Sequence, residues 1–358
     1  MSSPTRAGLS GALGMTFVGG SVAVSSVLAD APLHTAQALR YAVACMLLLA
    51  WARFTGHSLR RPRGSEWLWL LSVTVSGLVL FNVALVYGSR HAEPAVLAVA
   101  VACVPVALAT MGPLLEGHRP RSRLLAAAVV VSVGAVVVEG LGRADGIGLF
   151  WATVVFACEA GFTLLAVPVL GSHGPAGVSV HTTWMAAAMF AVLALATEGW
   201  RAASSFGISE ILAIGYLAVC VTAVAFVLWY TCVRTLGAGA AGLLTGVAPV
   251  AAAAIGVPVT GALPAAAVWA GIGLIGGGLT LGLSDNGAAG QAEGSCGTHA
   301  RHEQVQPELE SRVEVEQVLD GTGRQVRVIP SADHTFERLG LTAGGALLFE
   351  DFTEDVAE

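Results

Sequence analysis

The sequence contains no lysine, and charged residues make up only 12% of its 358 positions, about half the share usual in soluble domains. So little charge cannot cover the surface of a water-soluble globule of this size, which excludes a compact cytosolic enzyme. Every positive side chain is arginine, and no basic patch is dense enough to track a phosphate backbone, so nucleic-acid partners are excluded too. Cysteine is sparse: Cys45, Cys103, Cys158, Cys220 and Cys232 each stand alone in an apolar run, Cys296 lies near the end, and no C-x-x-C spacing occurs. That argues against a disulfide framework or a thiolate metal site and leaves the thiols as small polarizable filler between helices. His34, His91 and His181 are scattered near the ends of apolar runs, so no metal site is expected, and no cofactor.

What is abundant is apolar surface and glycine: 55% hydrophobic residues, 44 glycines and a mean hydropathy of +0.74. A helix needs about 20 mostly apolar residues to cross the hydrocarbon core, and ten runs meet that length. They are Leu9–Leu28, Thr35–Trp51, Trp67–Tyr87, Pro94–Leu115 and Leu124–Leu141, then Ile147–Leu170, Val178–Thr197, Glu210–Val233, Ala238–Val259 and Ala265–Ser284. The first run could pass for a cleaved signal peptide, but the repeat described below requires it as a helix. With the amino terminus inside, inner segments hold nine arginines (Arg6, Arg53, Arg60, Arg61, Arg63, Arg119, Arg121, Arg123 and Arg234) and outer ones only Arg90, Arg143 and Arg201. This positive-inside bias predicts a multi-pass plasma-membrane protein with both termini cytoplasmic. Up to Ser284 the chain has nine acids and 13 arginines, a net of +4; beyond it come 15 acids and five arginines, a net of −10. The last part is an acidic tail.

Sliding the chain against itself produces an ungapped match at an offset of 144. Pro105 pairs with Pro249, Arg90 with Arg234, Gly112 with Gly256, Gly117 with Gly261, Pro120 with Pro264 and Gly134 with Gly278. Five spans per copy, an odd number, force the two copies into opposite orientations. The loop charges agree: Arg119, Arg121 and Arg123 become Leu263, Ala265 and Ala267. Inverted repeats mark secondary transporters, whose substrate sits near the midplane between the repeats. The expected fold is thus an all-α polytopic membrane protein of ten transmembrane helices, with repeats over 1–143 and 144–284 and a tail over 285–358.

The segment Leu85–Glu116, "LVYGSRHAEPAVLAVAVACVPVALATMGPLLE", resembles the core of an EamA repeat, from the drug/metabolite transporter superfamily. Residues from about Leu9 to Ser284 are similar to two such repeats. One departure is that the turn glutamate, Glu116, is matched in the second copy by Thr260. The resemblance implies a ten-helix transporter, commonly an exporter of amino acids, metabolites or drugs, and no enzyme.

The candidate site residues are those a membrane span carries only at a cost. Glu159, mid-span in "VVFACEAGF", costs at least about 2.5–3.5 kcal/mol on insertion scales and so should face a cavity, a partner or a proton. It is a candidate proton carrier or counter-ion for a cationic substrate, with Arg40 as its nearest formal partner unless that side chain snorkels outward. Asn82, Trp229 and Tyr230 lie deep in their spans, Ser21 and Ser25 form a one-turn polar stripe, and Trp184 opens the seventh span; all are candidate substrate contacts. Trp151, which begins the sixth span, and Trp184 suit interfacial anchors equally well; Tyr87 lies near the outer end of the third span, and Glu93 and Glu139 lie near span ends. Pro105 and Pro249 cannot donate to the carbonyls of Val101 and Thr245, which makes them candidate hinges. Glycines 273 and 277, with 278 and 282, present small-xxx-small faces suited to tight packing or a homodimer contact.

In the tail, Asp285–Gln306 reads as a flexible linker, and "RVEVEQVLDGTGRQVRVI" alternates with period two about an Asp-Gly turn, the pattern of a β-hairpin. A membrane-embedded enzyme is the alternative function, but it would want several carboxylates, histidines or arginines at one depth, and the spans hold few. A sensor or scaffold with the tail as output is the other. The expected partners are a small-molecule substrate, the lipid bilayer and protons.

Overall fold

A computed structural model describes residues 4–28, 30–260 and 264–283 and four short strands, 317–319, 325–330, 336–341 and 347–351. The chain divides into two units, Met1–Ala288 and Ala289–Glu358. The linker Asp285–Gln306, Cys296 and the Asp-Gly turn of the tail lie outside the described residues. In the second unit β1 (Gln317–Leu319), β2 (Gln325–Pro330), β3 (Phe336–Leu341) and β4 (Leu347–Asp351) pair in sequence order, all antiparallel, with Leu319 opposite Gln325.

The first unit is helical. Nine helices among the described residues are long and apolar enough to cross a membrane. These are α2 (Leu33–Thr55), α3 (Glu66–Gly88), α4 (Pro94–Leu115), α5 (Ser122–Glu139), α6 (Gly146–Leu164), α7 (Val167–Thr197), α8 (Ile208–Leu236), α9 (Ala238–Val257) and α10 (Ala266–Leu283). Ahead of them α1 (Pro4–Ser25) packs against α8 and α9. Large apolar side chains such as Met46, Phe54, Leu68, Val192, Leu195 and Leu212 face outward, as a helix solvated by lipid requires.

Local chemistry sets the breaks. Gly56 takes a left-handed conformation (φ 69°) and donates its amide to Ala52 O, ending α2. Asp145 caps α6 by accepting from Gly148 N at 2.7 Å. Its carboxyl is held below the ordinary range, first by that amide and then by His91, whose Nδ1 lies 2.9 Å away. The Ala92–Ala144 bridge and the Glu93–Arg143 ion pair at 3.0 Å bind the same two links together. The sixth and seventh helices depart from the expected bounds. α6 stops at Leu164, and α7 starts at Val167, eleven residues before the expected Val178, because it runs across a break at Gly174 (φ 66°, ψ 171°). α3 and α8 each contain a π-helical stretch, Thr74–Leu80 and Leu217–Val224.

The helices pack as α2 on α7, α1 on α8 and α9, α3 and α4 on α6, and the second half of α4 on the start of α9. Small residues allow the close crossings. A Cβ on Gly134 would meet Gly271 O at 2.8 Å, and one on Gly278 would meet Val131 at 2.7 Å, so α5 and α10 lie backbone to backbone. The Gly278 and Gly282 face is therefore used inside this chain, whereas at Gly273 and Gly277 a Cβ would meet nothing within 4 Å. The largest core cluster, including Leu70, Leu108, Val169, Tyr230 and Leu244, fills one end of the bundle. The other end is hollow.

Candidate functional site

The hollow is a cavity of about 1160 Å³. Its mouth is formed by Asp30–His34 between α1 and α2, by Tyr87–Arg90 after α3, and by Glu198–Ser205 after α7. Its lining among the described residues takes nothing from the links at the opposite end, so it opens one way. Its floor is reached at Met15, Glu159, Phe162 and Trp229.

Of the residues singled out in the sequence, Glu159, Arg40, Asn82, Trp229 and Ser21 line this one cavity. Among the described residues the Glu159 carboxylate accepts no hydrogen bond and has no basic partner within ion-pair distance. It lines the cavity together with Phe162, Phe226 and Trp229. Arg40 is occupied elsewhere: Nε donates to Thr222 Oγ1 at 2.8 Å, a terminal nitrogen donates to Gln37 Oε1 at 3.3 Å, and the guanidinium lies over the Tyr41 ring at 5.1 Å. Gln37 passes the chain on, donating to Asn82 Oδ1 at 3.0 Å, and Asn82 donates to Tyr41 OH at 3.1 Å and Leu78 O at 2.6 Å. One continuous polar ladder thus joins α2, α3 and α8. Trp229 Nε1 donates to Thr163 Oγ1 at 3.0 Å, which fixes the indole as part of the floor.

The remaining candidates fall elsewhere. Tyr230 is fully buried behind the wall and donates to Phe162 O at 3.2 Å. Trp184 stands at the opposite end, edge-on to Trp67 with centroids 6.2 Å apart. The side chain of Ser25 lies outside the described residues. Pro105 follows a turn at Cys103 that interrupts α4, and Pro249 follows the 3-10 turn Leu244–Gly246 in α9. Val101, to whose carbonyl Pro105 cannot donate, has that carbonyl taken up by the turn at Cys103 and lines the cavity.

Sequence reasoning missed Gln37, Tyr41, Thr222 and Glu198. Two of them had a signal: Gln37 and Tyr41 fall three residues before and one after the candidate Arg40, at i and i+4 of one polar stripe on a helix that holds Arg40 at i+3. Glu198 ties α7 to the start of α2, accepting from the amides of His34 and Thr35 at 2.8 Å each and from Thr35 Oγ1 at 2.6 Å. Burial pushes its carboxyl up, but the Thr35 and His34 hydrogen bonds and the His34 charge outweigh this, and the net direction is downward. A depressed carboxyl stabilises the fold above the ordinary glutamate range near about 4.3 and loses that stabilisation as pH falls through its folded value. Thermal unfolding in detergent should therefore show stability declining below about pH 4. Glu198→Gln should flatten that decline and cost about 1 kcal/mol at neutral pH, as a lost helix cap does.

Comparisons with known proteins agree with a membrane bundle. Residues 6–139 match the model of the EamA-like transporter family. The chain is similar to the uncharacterized transporter YetK of Bacillus subtilis (strain 168), 26% identical over 254 residues that cover 67% of this chain and 76% of that one. A protein of known crystal structure shares the fold with a TM-score of 0.67 at 20% identity, over 78% of this chain and 98% of the other. With its apolar helices and a match to the EamA-like transporter family over residues 6–139, the chain is a multi-pass membrane protein whose first half is similar to that family.

Proposed function

We propose that the chain is a secondary transporter that exports small organic solutes across the plasma membrane by alternating access. In this reading α1 is the tenth span, the two five-helix repeats are inverted, both termini are cytoplasmic, and the cavity faces outward. The observation that carries it is the cavity: open at one end, closed at the other, with an unpaired carboxylate at mid-depth. A buried charge without a partner is expensive, so a proton or a cationic group on the solute is the natural complement. Phe162, Phe226 and Trp229, which line the same cavity, suit a solute joining a basic nitrogen to an apolar body.

The packing supports the repeat. Under the offset of 144, α3 on α6 maps onto α8 on α1, and the two π-helical stretches map onto each other. Gly112 and Gly256 are also mates under that offset. A Cβ on Gly112 would meet Gly239 N at 2.8 Å, while one on Gly256 would meet nothing within 4 Å among the described residues. The crossing is tight at the closed end and open at the cavity end, as two alternating conformations require. Cells expressing the chain should resist toxic amphipathic amines, and inside-out vesicles should accumulate them when a proton gradient is imposed. A panel of amines, amino acids and amphipathic drugs showing no gradient-dependent movement above that of empty vesicles refutes the proposal.

A further inference from the structure

The closed end of the bundle holds a titratable cluster that the cavity does not use. His173 stands just before the break at Gly174, its side chain 0% exposed, with Nε2 3.2 Å from Glu66 Oε2. Neither of its ring nitrogens makes an aligned hydrogen bond. Glu66 begins α3, where a carboxylate favours the helix dipole, and also accepts from Arg63 N at 2.8 Å. The charged and titratable groups around His173 come from four elements. Glu66 is contributed by α3, and Arg60, 3.9 Å from Glu66, by the link after α2. His181 lies edge-on along α7 with centroids 5.5 Å apart. Arg234 of α8 approaches to 3.5 Å of the Cβ position on Gly174.

These contacts run between the first half of the chain and the second. His181 Nε2 bonds Arg60 O at 3.0 Å, and Trp67 stacks edge-on to both His181 and Trp184. The arrangement lies at the end away from the cavity, where two halves must separate if the solute is to enter from that side. An imidazole changes charge near neutral pH. Protonated, it makes a charge-assisted contact with the carboxylate. Neutral, it keeps its desolvation penalty and loses that attraction.

We propose that Glu66 and His173 form a proton-dependent latch that holds the end opposite the cavity closed and releases it when the imidazole loses its proton. The latch rests on the transport reading, but it is tested by accessibility and not by flux. With the six native cysteines replaced by alanine, a Ser21→Cys reporter in the cavity is labelled by a membrane-impermeant thiol reagent in right-side-out and inside-out vesicles. The ratio of labelling from the two faces cancels the intrinsic pH dependence of the thiol. Between about pH 6 and about pH 8, relative labelling from the face of the Arg60 link should rise several-fold. His173→Gln should give the high ratio at both pH values. Glu66→Gln, which removes the other partner, should do the same and guards against one variant failing to fold. A His173→Gln or Glu66→Gln protein that keeps the unmodified ratio and its pH dependence overturns the latch. If the ratio shifts as described but no solute is ever moved, the latch stands and the transport reading fails.

Discussion

Glu159→Gln is expected to reduce proton-driven accumulation in vesicles at least about tenfold, an effect worth about 1.4 kcal/mol or more. The substitution keeps the shape of the side chain and removes its charge, so the cavity at Phe162 and Trp229 should be unchanged in form. What changes is the only thing a partnerless carboxylate offers: an attraction for a proton or a cation in a place where water is scarce. The two roles separate in one further measurement. If Glu159 carries the driving proton, exchange of labelled for unlabelled solute persists in the variant while uphill movement is lost. If it is the counter-ion of the solute itself, both disappear. Undiminished uphill movement removes Glu159 from the mechanism.

The second large effect is a contrast between two glycines. Gly112→Val should wedge the crossing of α4 on α9, because the new Cβ falls 2.8 Å from Gly239 N and 3.0 Å from Ala238 Cβ. Overpacking of this kind costs about 1–3 kcal/mol, and here it falls on one conformation only. Glu116 Oε1, which accepts from Ala238 N at 3.1 Å, would be pulled off the start of α9 by the same displacement. Gly256→Val, by contrast, meets no atom of the described residues within 4 Å of its Cβ and should leave this conformation intact while hindering its mirror. Both variants should stop transport, but the Ser21→Cys reporter should become more accessible from the closed end in Gly112→Val and less so in Gly256→Val. Equal labelling in the two variants would count against the alternating crossing.

Much of this was legible in the sequence, and the reasons differ by residue. Glu159 stood out because a charge in an apolar run is costly, and Asn82 because its depth does not suit an interfacial anchor; both line the cavity, and Asn82 bonds to the neighbouring helix. Trp229 and Tyr230 were legible only as a pair. Neighbours on a helix point about 100° apart, so one faces the cavity while the other is sealed behind it, and no offset between repeats decides which. Trp184 illustrates the same limit along the axis, since depth in a span does not say which end is hollow. The long-range tie from Glu198 to Thr35 joins residues far apart in the chain, with nothing local to announce it. The π-helical stretches leave no mark in composition, because the register of their backbone bonds is chosen by packing.

Those two wide turns have a mechanical consequence. Each stores one more residue than its axial length needs, a dislocation in an otherwise regular spring. Such a defect can glide by a residue with the chain unbroken, swivelling what lies beyond it. Asn82 sits just beyond the first wide turn and Thr222 within the second, so a glide in either would re-aim a rung of the polar ladder. The walls of the cavity can thereby turn about their own axes, without either half of the bundle having to unfold.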